Sequence, residues 1–280
     1  MSNLSIDISG KIDKCHIEVI KAIKSSADAL KIPFFIIGAS ARDYIFQHFY
    51  GVSALRKTND IDVGISISTW NEFEKLKKLL IDEKGFTETN IKQRLRKKHD
   101  LVDIVPYGNI AGSDYRLSWP PENEIVMNTL GFQEAYQNSL IVKIENNLKI
   151  RISSLPGLVA LKLISWEENY PDRKRDAEDI RFIMQNYENA GNFERLYDQE
   201  KDILEEESFD NTLASIRLLG KDIAKILNDT TKEKVTRILV GETSDESEYK
   251  LVLDMMEHRD DFENTLLQLK KMAIGFSEGK

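Results

Sequence analysis

Three aspartates are the side chains best suited to chemistry in this chain of 280 residues: Asp60, Asp62 and Asp103. The segment 60–68 alternates acidic or small residues with Ile and Val, which predicts a strand that carries Asp60 and Asp62 on one face. If 100–105 forms a neighbouring strand, Asp103 joins them. Carboxylates without histidine suit Mg²⁺ or Mn²⁺ and phosphate oxygens. The pattern predicts phosphoryl chemistry, with Asp103 bridging to a second ion.

A turn with the sequence Gly38-Ala39-Ser40 follows the short apolar run 34–37. A glycine lets the backbone approach a triphosphate closely, and the first N–H groups of the next helix attract anionic oxygens. Ser40 adds a hydroxyl donor. Ordinary strand-to-helix turns have the same composition, so the tripeptide gains meaning only together with the carboxylates.

These residues need a mixed α and β framework. The periodicity predicts, in chain order, a helix at 11–31, a strand at 34–37, a helix at 41–50, a strand at 60–68, a helix at 70–84, a strand at 100–105 closed by Pro106, and a hairpin at 140–144 and 148–152. From residue 154 onward the pattern is helical. We therefore expect an α+β fold with two domains, a core at 1–152 and a mainly helical domain at 153–280.

Composition limits the classes of function. The chain is 41% hydrophobic and 31% charged, with one cysteine and four histidines, so an intramolecular disulfide and a zinc cluster are not expected. Cys15 is predicted to be a small core residue of the first helix. No apolar run approaches the roughly 20 residues of a membrane span, and the N-terminus lacks a signal-peptide pattern. We expect a cytoplasmic protein without a membrane partner.

The net charge of −8 is unevenly distributed. Residues 1–190 contain 26 basic and 26 acidic side chains, whereas 191–280 contain 13 and 21. A nucleic acid would need a local basic patch in the first part. The densest candidate is the segment with Lys92, Arg94, Arg96, Lys97 and Lys98. An exposed edge strand protected by lysines is the favoured interpretation, and an RNA-binding face is the alternative.

The glycine turn, Asp60-Ile61-Asp62 and the third acidic strand together resemble the nucleotidyltransferase superfamily that shares its catalytic core with polymerase β. Within it, the chain resembles the AbiEii/AbiGii-type nucleotidyltransferase toxins over about residues 34–183. The features that carry the resemblance are the 22-residue step from Gly38 to Asp60, Arg56 before Asn59-Asp60-Ile61-Asp62, Lys162 in LPGLVALKLISW, and Arg175-Asp176-Ala177-Glu178-Asp179-Ile180. Ala39 departs from the usual second glycine of the turn.

The resemblance implies a polymerase β-like nucleotidyltransferase core followed by helices. It implies transfer of a nucleoside monophosphate from an NTP, ATP among them, to a hydroxyl of a tRNA end or a protein, with an antitoxin as partner. Asp60 and Asp62 would hold the metal, and Asp103 would share a second ion and orient or deprotonate the acceptor. The implied nucleotide-binding residues are Gly38, Ala39, Ser40, Arg56 and Lys162. Asp176 would orient Lys162 or a metal-bound water.

Several alternatives remain open. The segment Gly38 to Asp43 is also similar to the entry motif of CCA-adding enzymes, and the acidic tail would suit a cationic acceptor, as in aminoglycoside nucleotidyltransferases. A catalytically inactive nucleotide-binding module is the third alternative. Lys162 is as consistent with a snorkelling lysine on a core helix as with a phosphate ligand, and Asp179 is expected to be structural. The cations Arg173, Lys174 and Arg175 are as consistent with a solvated turn as with a triphosphate contact.

Overall fold

The structure is a computed structural model that describes residues 6–53, 56, 58, 60–121, 126–258 and 261–279. The packing of the backbone divides the chain into two units, Met1–Ser154 and Leu155–Lys280.

The first unit is built on a mixed sheet. Its strands are β1 (Ile6–Asp7), β2 (Phe34–Ile37), β3 (Asp60–Ser66), β4 (Thr87–Glu88), β5 (Arg94–Lys97), β6 (Asp100–Tyr107), β9 (Leu140–Glu145) and β10 (Leu148–Ile152), and a separate small pair consists of β7 (Arg116–Ser118) and β8 (Val126–Asn128). The order across the large sheet is β1-β9-β10-β2-β3-β6-β5-β4. Strand β3 lies parallel to β6 and antiparallel to β2, and β5 lies antiparallel to β6.

The helices of the first unit are α1 (Lys14–Leu30), α2 (Gly38–Asp43), α3 (Trp70–Lys84) and α4 (Phe132–Gln137), and a π-helical segment, Tyr44–Tyr50, follows α2. Helix α3 begins at a capping box in which Thr69 and Glu72 each bind the other's backbone N–H. Helices α1 and α3 pack against each other through buried apolar faces. The α+β fold with a mixed sheet and flanking helices is as predicted.

Local differences from the predictions have physical causes. Cys15 is exposed, not in the core, because it lies in the first turn of α1 beside the N-cap residue Asp13, whose carboxylate accepts from its backbone N–H at 2.7 Å. Strand β6 continues through Pro106. The amide of Ile104 donates to the Gln93 carbonyl on the β5 side, so by alternation the missing N–H of Pro106 faces the same side beyond the end of β5, where a proline is tolerated.

The second unit contains helices only. They are α5 (Leu155–Glu168), α6 (Lys174–Asn186), α7 (Phe193–Asp198), α8 (Lys201–Glu206), α9 (Asn211–Ile226), α10 (Asp229–Thr243), α11 (Lys250–Met255) and α12 (Phe262–Glu278), with a π-helical turn at Glu188–Asn192. None of the helices in the described part of the chain has the length and apolarity needed to cross a membrane.

Helices α9 and α12 approach each other with their backbones in contact. A Cβ atom at Gly220 would lie 2.0 Å from the carbonyl oxygen of Met272, and one at Gly275 would lie 1.8 Å from that of Arg217. Both distances are far below van der Waals contact, and the opposing atoms belong to the backbone. Two glycines therefore set the separation of the helices that form the centre of this unit.

We expect Gly275→Ala to lower the free energy of unfolding by about 1–3 kcal/mol or more, because the added methyl group must push the two backbones apart. Gly241→Ala is the matched control. Gly241 lies near the end of α10 with no atom within 4 Å of its built Cβ, so alanine there should leave stability unchanged or raise it by up to roughly 1 kcal/mol. Urea unfolding of both variants checks this, and equal effects would contradict the close crossing.

Candidate active site

Two of the carboxylates predicted from sequence, Asp62 and Asp103, lie in a row of register partners that crosses four neighbouring strands. Ile37 of β2 is the register partner of Asp62 on β3, and Asp62 is the partner of Asp103 on β6. Asp103 in turn faces Arg94 on β5. Register partners on neighbouring strands project their side chains to the same side of a sheet. The row therefore places Asp62 between the end of β2 and the Asp103–Arg94 pair.

Asp60 shares the sheet face of Asp62. Both aspartates are half-buried, whereas Ile61 and Val63, which alternate with them, are completely buried. The apolar residues fix the orientation of β3, because turning the strand over would expose them and bury two charges. Asp60 and Asp62 thus form a pair of carboxylates held at the sheet surface by the core beneath them.

Asp103 is engaged by an arginine. The Nε and Nη2 atoms of Arg94 donate to the two carboxylate oxygens at 2.7 and 2.6 Å, a bidentate geometry. These hydrogen bonds to Asp103 are the main cause that raises the pKa of Arg94, and the charges of Asp60 and Asp62 add to it. Arg94 is therefore a permanent cation within the electrostatic field of all three aspartates.

Gly38 lies directly against the carboxylate of Asp62. A Cβ atom on Gly38 would lie 2.0 Å from Oδ2 of Asp62, and the residue has a φ of +65°. Both observations require glycine, since any side chain would collide with the carboxylate and would strain a left-handed backbone. The close approach predicted at this glycine is present in the structure. The group that lies against Gly38 is the carboxylate of Asp62.

The hydroxyl of Ser40 has a partner inside the protein. It donates to the carbonyl oxygen of Asp60 at 2.7 Å, and the side chain is almost completely buried. Ser40 therefore fastens the start of α2 to the first residue of β3. Gly38 and Ala39 before it are half-buried.

Arg56, which the resemblance assigns to the nucleotide, is half-buried. Its neighbour in the motif, Asn59, lies outside the described residues.

Lys162 and Asp176 are together in the second unit, in a buried cluster with Asp179. The Nζ atom of Lys162 lies 2.8 Å from Asp176 Oδ1 and 2.8 Å from Asp179 Oδ2, and all three side chains are at most 10% exposed. Arg173 donates to the other oxygen of Asp176 at 2.8 Å. Burial alone would lower the pKa of Lys162, but the two carboxylates outweigh it and raise that pKa. Burial would likewise raise the pKa of Asp176, yet Lys162 and Arg173 lower it.

The basic segment does not present one cationic face. Lys92 donates to the Pro120 carbonyl at 2.7 Å, Lys97 donates to the Lys84 carbonyl, and Lys98 pairs with Glu18 at 2.6 Å. Arg94 is directed to Asp103, and Arg96 is exposed. Strand β5 is also not the sheet edge, because the two-residue strand β4 pairs with it. The lysines serve several local contacts instead of one surface.

Asp60 and Asp62 have the donor chemistry that Mg²⁺ or Mn²⁺ requires, with hard oxygens on one accessible strand face. The glycine at position 38 keeps the space beside Asp62 free of a side chain. Asp103 differs, since both of its oxygens accept from Arg94. Among the residues that the structure describes, no group of three or more His, Cys, Asp or Glu side chains is arranged to hold a metal ion.

The role of Arg94 is what sequence reasoning missed. The residue types predict Arg94 only as part of a basic strand and indicate no contact with Asp103. The register is set by a two-residue turn at Lys98 and His99, which pairs Lys97 with Asp100 and consequently Arg94 with Asp103. Lys-His is not one of the residue pairs typical of such turns, so the residue types do not indicate this hairpin.

Comparisons with known proteins identify a family. A family model described as "Nucleotidyl transferase AbiEii toxin, Type IV TA system" matches residues 26–266. This match confirms the resemblance predicted from the sequence and, with it, the enzyme class of nucleotidyltransferase. A search of curated proteins found no match.

Three solved structures are similar at low identity. The solution structure of the antibiotic-resistance factor ANT(2'')-Ia is 17% identical, covers 70% of this chain and 98% of its own, and has a TM-score of 0.38. JHP933 from Helicobacter pylori is 15% identical with coverages of 94% and 91% and a TM-score of 0.33. The Thermotoga maritima CCA-adding enzyme complexed with tRNA is 13% identical with coverages of 95% and 80% and a TM-score of 0.26. At these scores none of the three bears on the substrate of this chain.

We expect Gly38→Ala to cost more stability than Gly51→Ala. Both glycines have left-handed backbones, with φ values of +65° and +75°, but the built Cβ of Gly51 has no atom within 4 Å. Gly51→Ala should therefore cost about 1–2 kcal/mol from the backbone alone, and Gly38→Ala should add about 1–3 kcal/mol from the collision with Asp62. Urea unfolding measures both.

A double variant isolates the collision. In an Asp62→Ala background the extra cost of Gly38→Ala should largely disappear, because the carboxylate that it meets is gone. An unchanged cost in that background would show that Asp62 is not the obstacle.

We expect Lys162→Met to lower the free energy of unfolding at pH 7 by about 3–5 kcal/mol, because it removes the cation that lies 2.8 Å from each of two buried carboxylates. In the wild-type protein the pKa of Asp176 is lowered, so its contribution to stability is present above the ordinary aspartate pKa and is lost as the pH falls through the folded-state pKa. The variant should lose less stability than the wild type as the pH falls toward about 4, because the contact with Lys162 that lowers the pKa of Asp176 is gone. Urea unfolding of both proteins across pH 4–8 tests this difference.

Lys234→Met is the matched control, because Lys234 pairs with the more exposed Glu167 at 2.7 Å. Its cost should be about 1 kcal/mol or less. Lys162→Met/Asp176→Asn/Asp179→Asn should recover part of the loss. An equal cost for the two single lysine variants would contradict a buried ion cluster.

Proposed function

Because the chain belongs to the AbiEii nucleotidyltransferase toxin family, with a match over residues 26–266, we propose that it transfers a nucleoside monophosphate from an NTP to a hydroxyl group in a reaction that needs Mg²⁺ or Mn²⁺. The observation that carries the proposal is the Asp60–Asp62 pair on one face of β3, with the backbone of Gly38 against Asp62. A triphosphate next to two carboxylates requires a cation between them.

Asp60 and Asp62 would hold the divalent ion, which would neutralise triphosphate charge and polarise the α-phosphate. The half-buried backbone at Gly38 and Ala39 would approach phosphate oxygens beside Asp62. Ser40 supports this region indirectly, since its hydroxyl holds the turn against Asp60. Arg56 would bind the triphosphate as the resemblance implies.

The reaction balances as a displacement at phosphorus. The oxygen of the acceptor hydroxyl forms a bond to the α-phosphorus, the bond from that phosphorus to the α,β-bridging oxygen breaks, and pyrophosphate leaves with the electron pair. Asp103 is our candidate for accepting the hydroxyl proton. Each of its oxygens retains a lone pair besides the one that accepts from Arg94.

The roles of Lys162 and Asp176, the acceptor and the antitoxin are proposed from what the family resemblance implies. Lys162 would neutralise triphosphate charge, and its hydrogen bond to Asp176 at 2.8 Å supports an orienting role for that carboxylate. We propose a tRNA end or a protein side chain as acceptor and a co-encoded antitoxin as the partner that restrains the activity. The dispersed contacts of the lysines in the basic segment give no support to an RNA path along β5.

We expect Asp62→Asn to reduce transfer by more than roughly 100-fold. Loss of a residue that only supports a metal ligand costs about 10- to 100-fold, and Asp62 is proposed as a ligand itself. Asparagine keeps the shape of the side chain but removes the charge that the ion needs. The measurement incubates purified protein with each α-labelled NTP, Mg²⁺ or Mn²⁺, and separate tRNA and protein pools, and follows the label into the acceptor.

Asp82→Asn is the control, because Asp82 is an exposed carboxylate on α3 that pairs only locally with Lys78 at 2.6 Å. It should retain wild-type transfer. Wild-type transfer by Asp62→Asn would remove Asp62 from the mechanism. Label found on neither tRNA nor protein would exclude both proposed acceptors.

A further inference from the structure

Three large aromatic side chains of the second unit are exposed in one region, which we call the aromatic surface. Phe193 and Tyr197 lie one turn apart on α7, their ring centroids are 5.1 Å apart, and they are 47% and 44% exposed. Phe209, in the turn between α8 and α9, is 60% exposed. The hydroxyl of Tyr197 donates to Oδ1 of Asn211 at 3.1 Å, and Asn211 is two residues from Phe209. Exposed aromatic groups are enriched at protein interfaces.

The backbone presents Phe209 in an unfavourable conformation. Ser208 and Phe209 have φ values of +54° and +63°, in the left-handed region that residues with a side chain avoid. The N–H of Phe209 donates to the Leu204 carbonyl at 2.9 Å, and that of Ser208 donates to the Glu205 carbonyl at 3.0 Å. Glycine would adopt these angles without strain. Strain kept at an exposed aromatic residue supports a function for its side chain.

Helix α7 is fixed from its buried side. Arg195, midway between Phe193 and Tyr197, donates to the two carboxylate oxygens of Asp222 at 2.6 and 2.7 Å. Asp222 is almost completely buried and also accepts from the hydroxyl of Tyr187 at 2.8 Å. Residues four apart share a helix face, and the residue midway points away from them. The contact of Arg195 therefore holds the two rings toward solvent, and an ordered surface loses little entropy on binding.

The stretch of chain that carries the aromatic surface is strongly acidic. Residues 188–210 contain nine acidic and two basic side chains. Both basic side chains pair within the protein, Arg195 with Asp222 and Lys201 with Glu205. The two cations of this stretch are therefore already engaged.

Carboxylates also lie next to the rings themselves. Each of the three aromatic residues is followed in the sequence by an acidic one, which is Glu194, Asp198 or Asp210. Glu194 and Asp198 are exposed, and neither forms an ion pair with a residue that the structure describes. Burial raises the pKa of Glu188, and the charge of Asp210 adds to that effect, so a further carboxylate lies near Asp210. The aromatic surface thus combines apolar rings with negative charge that lacks a partner cation.

We propose that the aromatic surface binds a basic segment of a partner protein in which Lys or Arg side chains are interspersed with apolar ones. The apolar groups would pack on the rings, and the cations would meet the carboxylates and the ring faces. The same charge disfavours other occupants, because it repels nucleic acid and anionic lipid, and two copies of the surface would bring like charges together. The inference concerns the second unit and goes beyond the proposed function.

The test selects binding segments without assuming their sequence. A library of random peptides is panned against the purified protein, and the Kd values of the enriched peptides are measured by fluorescence anisotropy. We expect enrichment of Lys or Arg together with apolar residues, and an affinity that falls as salt is added. Phe193→Ala/Phe209→Ala should raise Kd by about 30-fold or more, the loss typical of interface hot spots. Glu194→Gln/Asp198→Asn should raise it about 5-fold or more by removing charge.

Val240→Ala/Leu253→Ala is the matched control, because these two side chains are similarly exposed on α10 and α11. It should bind the selected peptides like the wild type, and circular dichroism confirms that every variant is folded. An equal loss in this control and in Phe193→Ala/Phe209→Ala, enriched peptides without basic residues, or no enriched peptide would overturn the inference. Self-association of the wild type that Phe193→Ala/Phe209→Ala abolishes would also overturn it, since the occupant would then be a second copy.

Discussion

The parallel pairing of β3 with β6 is the constraint on which the site depends. It sets Asp62 opposite Asp103, and the buried residues Ile61 and Val63 allow only one face of β3 to carry charge. A shift of one residue in either strand would turn a carboxylate into the core, where an unpaired charge costs several kcal/mol. The hydrophobic pattern that folds the sheet therefore also aligns the acids.

The neighbouring strands complete the site through backbone geometry. On one side, the antiparallel pairing of β2 with β3 brings the end of β2 to Asp62, where only a glycine fits. On the other side, β5 brings an arginine to Asp103. The Asp62 carboxylate consequently lies against the backbone of Gly38, whereas Asp103 is paired with Arg94. The two acids therefore differ in their immediate surroundings although they are alike in sequence.

Much of this could be predicted from sequence because period and composition are local properties. The alternation in Asp60-Ile61-Asp62 predicts that both acids share one face of β3. The hairpin of β9 and β10 lies at the predicted residues. Partners of single side chains depend on register and could not be read in the same way. Arg94 was assigned to a basic face and Ser40 to a phosphate, whereas Arg94 pairs with Asp103 and Ser40 bonds to the Asp60 carbonyl. A two-residue turn and a backbone carbonyl decide these contacts, and neither leaves a pattern in residue types alone.

The buried cluster around Lys162 shows how two carboxylates can hold an ammonium group inside the protein. An ammonium group has three donors, and in Lys162 two of them face Asp176 and Asp179 at 2.8 Å. These carboxylates offset the desolvation of the charge, raise the pKa of Lys162 and keep the lysine protonated. A snorkelling lysine would direct its charge to water, so the buried ion cluster favours a lysine whose charge and direction are both fixed by the protein.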